Sequence, residues 1–184
     1  MTVTALDPKT ALIVVDLQKG IVPRPSEPPM DSVVKHSVAL AEAFRGQGLP
    51  VVLVNVAGGA PGRTDQSYAF EPPEDWTDLA PELEQHPSDH LVTKLRWGAF
   101  HETGLDQHLK DLGVTQVVLC GIATSIGVES TARYASEHGY HVVLVEDAMT
   151  DLDHDAHVHS LTKIFPRLGE VTDTAEVLKA VKAA

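Results

Sequence analysis

A chain of 184 residues with 43% hydrophobic and 22% charged residues is long enough for a single domain, residues 1–184, that buries about two-thirds of its unfolded surface. Its formal net charge of -12 works against non-specific binding to nucleic acid or to an anionic membrane. The single Cys120 excludes an internal disulfide framework and every multi-cysteine metal site, and no apolar run or basic leader points to a membrane span or export, so a cytoplasmic location is expected.

The elements follow in order. Ala11–Val15 is a continuous apolar, β-branched run of the kind covered on both faces of a sheet, and it ends at Asp16. Four prolines between Gln18 and Met30 mark a rigid surface excursion, after which Asp31-Ser32 can cap a helix running to Gly46. Val51–Val56 is a second buried-type strand. It runs into a glycine-rich loop, Gly58 to Asp65, that carries no phosphate-binding signature. The acidic, Pro-punctuated stretch up to His90 reads as a lid or surface arm anchored by Trp76 and Leu79. A strand-like run follows from His90 to Thr93, then a helix over Gly104–Leu112.

Val117–Leu119 is the third strong strand; it passes through Cys120-Gly121 into a helix centred on Thr131. His141–Val145 is a fourth strand that ends at Glu146-Asp147, followed by a histidine-rich helix over Asp153–Phe165 and a last helix capped by Thr172 or Thr174. Apolar strands alternating with helices imply a three-layer α/β/α architecture on a mainly parallel, Rossmann-like sheet. Ligands of such sheets bind beyond the carboxyl ends of the strands. Asp16, the Gly58–Asp65 loop, Lys94 and the Gly121–Gly127 turn all follow strand-like runs, so they can converge at one edge as an active site. Asp16 and Lys94 would make a carboxylate–ammonium pair, with the alternative that Asp16 caps a turn and Lys94 is solvated. The small residues from Gly121 to Gly127 would let a ligand reach the backbone, or would simply make a tight turn with Thr124 or Ser125 as N-cap.

Three ordered motifs, DLQKG at Asp16–Gly20, KLRWGAF at Lys94–Phe100 and GIATSIGVESTA at Gly121–Ala132, resemble the isochorismatase-like superfamily, which also includes nicotinamidases and N-carbamoylsarcosine amidases. The resemblance extends from Leu12 to about Val177. It implies that Asp16 and Lys94 match two working residues of the amidase members, whose third is a cysteine nucleophile. That position is Gly127 here, and glycine has no atom able to form an acyl-enzyme. Isochorismatases with glycine at this position hydrolyse an enol ether without a covalent intermediate. The resemblance therefore implies acid catalysis by Asp16, orientation or charge neutralisation by Lys94, and a backbone cradle from Ala123 and Thr124 to Gly127, often with a cis peptide before Ala123.

Cys120, inside an apolar run, is expected to be structural. Arg63 and Gln66 could bind a substrate carboxylate, and Trp97 could wall the pocket or pack in the core with Phe100. His154, His157 and His159 crowd with Asp151, Asp153 and Asp155, but they match no metal motif; nor does the Gly58–Asp65 loop hold the Asp-x-His pair of metal-dependent nicotinamidases. A small-molecule substrate, no cofactor, no metal and, from the resemblance, a homo-oligomer are expected. The alternatives are an amidase with an unconventional nucleophile and a catalytically silent binding protein.

Overall fold

The computed structural model describes residues 5–65 and 72–183. Among these residues six parallel strands form one sheet: β1 (Thr10–Val15), β2 (Val51–Val56), β3 (His90–Lys94), β4 (Gln116–Ile122), β5 (His141–Thr150) and β6 (Glu170–Thr172). Their order is β3-β2-β1-β4-β5-β6. The two central strands, β1 and β4, are buried at every residue, which is why ALIVV and VVLC carry no polar alternation.

Helices cover both faces. Helix α1 (Met30–Gly46) and α5 (Thr174–Ala183) bury Val33, Leu40, Phe44, Val177 and Val181 against Leu12, Val14, Leu53 and Val118. Helices α2 (Leu105–Asp111) and α3 (Glu129–Glu137) bury Leu105, Leu109, Ala132 and Ala135 against Ile13, Val15, Val54 and Leu119. Successive strand residues thus feed two separate cores, each fully buried aliphatic side chain adding roughly 1.5–3 kcal/mol.

Four local expectations are corrected. Strand β5 does not stop at Glu146-Asp147: it continues through buried Ala148 and Met149 to Thr150, after a register shift against β4 between Leu119 and Gly121. Asp147 is tolerated inside it because its carboxylate accepts from the backbone N and the hydroxyl of Thr174, both at 2.7 Å, at the start of α5. At that helix start it is Asp173, between Thr172 and Thr174, whose carboxylate accepts, from Glu176 N at 2.9 Å. Asp31 and Ser32 lie inside α1, which begins at Met30 without a side-chain cap, and Asp31 serves instead as a first-turn acid. The histidine-rich helix is short: α4 (His154–His159), capped by Asp153, gives way to a π-turn over Ser160–Ile164 and a 3₁₀ turn over Phe165–Arg167, where Pro166 cannot donate to an α-helical ladder. No helix of the described residues is long and apolar enough to cross a membrane.

Candidate active site

The chain runs outward from β1 through β2 to β3 on one side, then returns to β4 and runs through β5 to β6 on the other. The order in which strands are added therefore reverses between β1 and β4, and a crevice at their carboxyl ends is where such folds take ligands. Asp16 follows β1 directly. Its backbone N continues the ladder to Val54 O, and then φ of 54° turns the chain out of the strand, a left-handed conformation that costs a non-glycine residue of order 1–3 kcal/mol.

Lys94 closes β3 with its side chain turned inward, and its Nζ donates to Asp16 Oδ2 at 2.7 Å and to Arg96 O at 3.2 Å. Asp16 is 5% exposed and Lys94 2%. Burial pushes the Asp16 carboxyl up to about 6, outweighing the lowering effect of the Lys94 ammonium and its hydrogen bond. Asp16 Oδ1 is buried with no hydrogen-bond partner among the described residues. The pair thus leaves one carboxyl oxygen held and the other unengaged.

The third component arrives from β4. Gly121, paired with Val15, has φ of 115°, and a Cβ there would lie 2.1 Å from Val15 O, so only glycine lets the two strands meet at this point. The Ile122–Ala123 peptide is cis. A π-turn over Thr124–Val128 then leads into α3, with no side-chain cap from Thr124 or Ser125. A Cβ on Gly127 would lie 3.0 Å from Asp16 Oδ2, 3.1 Å from Val15 Cγ1 and 3.2 Å from Ile122 O. Gly127 therefore faces the buried carboxylate directly.

The sequence-level candidates are distributed unevenly. Asp16, Lys94 and Gly127 meet, and Ala123 and Thr124 form the start of the facing turn. Arg63 stands exposed on the glycine-rich loop. Gln66 lies outside the described residues. Trp97 is 61% exposed, so it is not the core residue that Phe100 is, and the neighbouring Arg96 ties its own loop to Gly59 O at 3.3 Å. Cys120 is fully buried on the α1 side of the sheet, where its Sγ accepts from Ser37 Oγ at 3.5 Å, and burial pushes its thiol up to about 12.

Gln18 is a residue that sequence reasoning missed. It is fully buried: its Nε2 donates to Val56 O at 3.1 Å and Trp76 O at 2.8 Å, while Val56 N donates to its Oε1 at 2.7 Å. It fastens the segment around Trp76 to the end of β2 beside the Asp16 turn. Its place in DLQKG, two residues after Asp16, was the available signal. Among the described residues, no three His, Cys, Asp or Glu side chains are placed to hold a metal ion.

The isochorismatase domain family matches residues 10–176. The chain belongs to this family of hydrolases. Among its relatives, the uncharacterized isochorismatase family protein YwoC of Bacillus subtilis is 43% identical, over 95% of both chains. A streptothricin hydrolase of Streptomyces noursei is 33% identical over 95% of this chain and 57% of its own length. The solved structure of an isochorismatase family protein from Burkholderia thailandensis superposes with a TM-score of 0.93 at 43% identity, covering 97% of this chain and 98% of the other. The three-layer α/β family fold is thereby shown.

Proposed function

We propose that this family member hydrolyses an enol ether, or a related small carboxylated substrate, by general-acid catalysis from Asp16 without a cofactor or covalent intermediate. The observation that carries the reading is a buried carboxyl raised to about 6, one oxygen held by Lys94 and the other unpartnered, facing a glycine where a nucleophile would otherwise stand. With Oδ2 committed to the ammonium, the proton resides on Oδ1. Asp16 delivers it to the methylene carbon of an enolpyruvyl ether, the adjacent carbon becomes an oxocarbenium centre, and water adds there. The adding water gives up a proton that restores the Asp16 carboxyl, and the neutral hemiketal then collapses, its hydroxyl proton passing to the departing alcohol oxygen, to yield pyruvate. Lys94 keeps the carboxyl oriented, and the backbone from Ala123 through Thr124 to Gly127 receives the substrate oxygen. Trp97 walls the entrance, and Arg63 takes the substrate carboxylate.

A hydrolase among the relatives supports the reaction class. An amidase reading that used Cys120 as its nucleophile would need a thiol that is fully buried in the α1-side core with its proton firmly held.

The pH dependence tests the role of Asp16. A general acid is active while protonated, so kcat/KM for pyruvate release from isochorismate is expected to be flat below about pH 6 and to fall about tenfold per unit above it. A rate that instead rises through pH 6 would make Asp16 a base and sink the acid mechanism.

Gly127→Ala gives a second check. Its methyl group would press on Asp16 Oδ2 and Val15 Cγ1. Overpacking costs about 1–3 kcal/mol and outweighs the roughly 0.4–1 kcal/mol gained by stiffening the unfolded chain. A modest loss of stability with a rate loss of about tenfold from the displaced carboxyl is expected, measured by thermal unfolding and pyruvate release. Unchanged kinetics would mean that the glycine is incidental.

A further inference from the structure

The acidic, histidine-rich segment after β5 packs against the turn that faces Asp16. Asp151 is buried, and its Oδ2 accepts from Ser125 N at 2.7 Å and from Ser125 Oγ at 2.8 Å, while its Oδ1 accepts from Leu152 N at 2.8 Å. His157, on α4, is 3% exposed, and its Nδ1 lies 2.8 Å from the hydroxyl of Thr124, which is fully buried. At the other end of the turn Thr131 Oγ1 donates to Gly127 O at 2.7 Å and accepts from Ala99 N at 3.1 Å. The five-residue turn Thr124–Val128 is thus held from three sides.

A π-turn lacks the regular i to i−4 ladder of an α-helix, so its shape depends on what grips it from outside, and such turns recur at functional sites. Asp153, not His157, caps α4, so the imidazole has no capping duty in its own helix. An apolar side chain could fill the same space without the cost of about 1–3 kcal/mol that an unpaired buried polar group incurs. Burial lowers the proton affinity of His157, with Asp151 opposing and His154 adding to the effect. The neutral ring and the hydroxyl then share one hydrogen bond whose loss would free Thr124, the first residue of the turn.

We propose that His157 is a positioning residue: through the Thr124 hydroxyl it fixes the angle at which the Ala123–Gly127 turn meets the Asp16 carboxyl. The proposal rests on the reading of Asp16 and this turn as the reacting site.

The test uses the full chain and two readouts. Thr124→Val removes the hydrogen bond at nearly constant volume and His157→Phe removes it with a somewhat larger planar ring, while Thr124→Ser and His157→Asn retain a polar atom. With isochorismate as substrate, each apolar variant is expected to lower kcat about tenfold with KM changed less than about twofold, the double variant doing no worse than the poorer single one because the two act as a unit. The polar variants should recover most of the rate. Amide hydrogen exchange across Ser125–Val128 should quicken about tenfold in His157→Phe, with β1 and β2 amides unaffected.

Wild-type kcat in His157→Phe, additive losses in the double variant, or unaltered exchange at the turn would overturn the proposal. Exchange that quickens equally in β1 and β2 in both His157 variants would also overturn it, since that reports general packing. If the wild-type chain releases no pyruvate from isochorismate, the acid reading fails and the exchange pattern alone decides the role of His157.

Discussion

Asp16→Asn is expected to reduce enol-ether turnover by about 10²–10⁴-fold, the range that a positioned general acid supplies, while the chain still unfolds in one cooperative transition. The amide retains an oxygen that can accept from Lys94 Nζ, and the ammonium keeps its second acceptor, Arg96 O. What is lost is a proton that can be transferred at the buried Oδ1 position. Kinetics of pyruvate release, together with a thermal unfolding curve on the same sample, separate these effects. Retained turnover in a folded Asp16→Asn protein would remove Asp16 from the chemistry.

Lys94→Met should act in a different way. Removing one partner of a buried ion pair typically costs about 3–5 kcal/mol, because the surviving charge is left in a poorly solvating interior. Asp16 has an escape that a permanent charge lacks: it can take up a proton. Without the ammonium, the carboxyl rises further above its present value of about 6. The native state of the variant then binds a proton that the unfolded chain, near 3.8, has released, so its stability falls as the pH rises from about 4 through that elevated value. The stability deficit against wild type should accordingly be small near pH 5 and large near pH 8. The falling limb of the pH–rate profile should also move to higher pH, with a lower plateau because the carboxyl is no longer held. A deficit independent of pH would mean that Lys94 contributes packing alone.

The sheet could be read from the chain because its strands are uniform: ALIVV, VVLVNV and VVLC have no polar face, and only a parallel sheet covered on both sides buries such runs. The meeting of Asp16 with Lys94 followed from the same logic, since each ends a strand and all the strands point one way. What stayed hidden depends on contacts distant in sequence. Asp147 looks like a strand terminator until the start of α5 is seen to need its carboxylate. Asp151 and His157 suggest a metal site by composition, yet their polar atoms are engaged by Ser125 and Thr124, residues 26 and 33 positions away. Gln18 reads as one more polar residue after a strand, although burial and three hydrogen bonds to the ends of other segments make it a clasp. Local periodicity carries no trace of such pairings.

The most direct test of the account is mass spectrometry of the products formed from isochorismate in deuterated water by the wild-type chain and by Asp16→Asn. Protonation at the methylene carbon predicts pyruvate carrying one deuterium in its methyl group, released together with the dihydrodiol, with both products formed at least about 10²-fold more slowly by the variant. Absence of pyruvate from the wild-type reaction, or its release at equal rates by the two proteins, would contradict acid catalysis by Asp16.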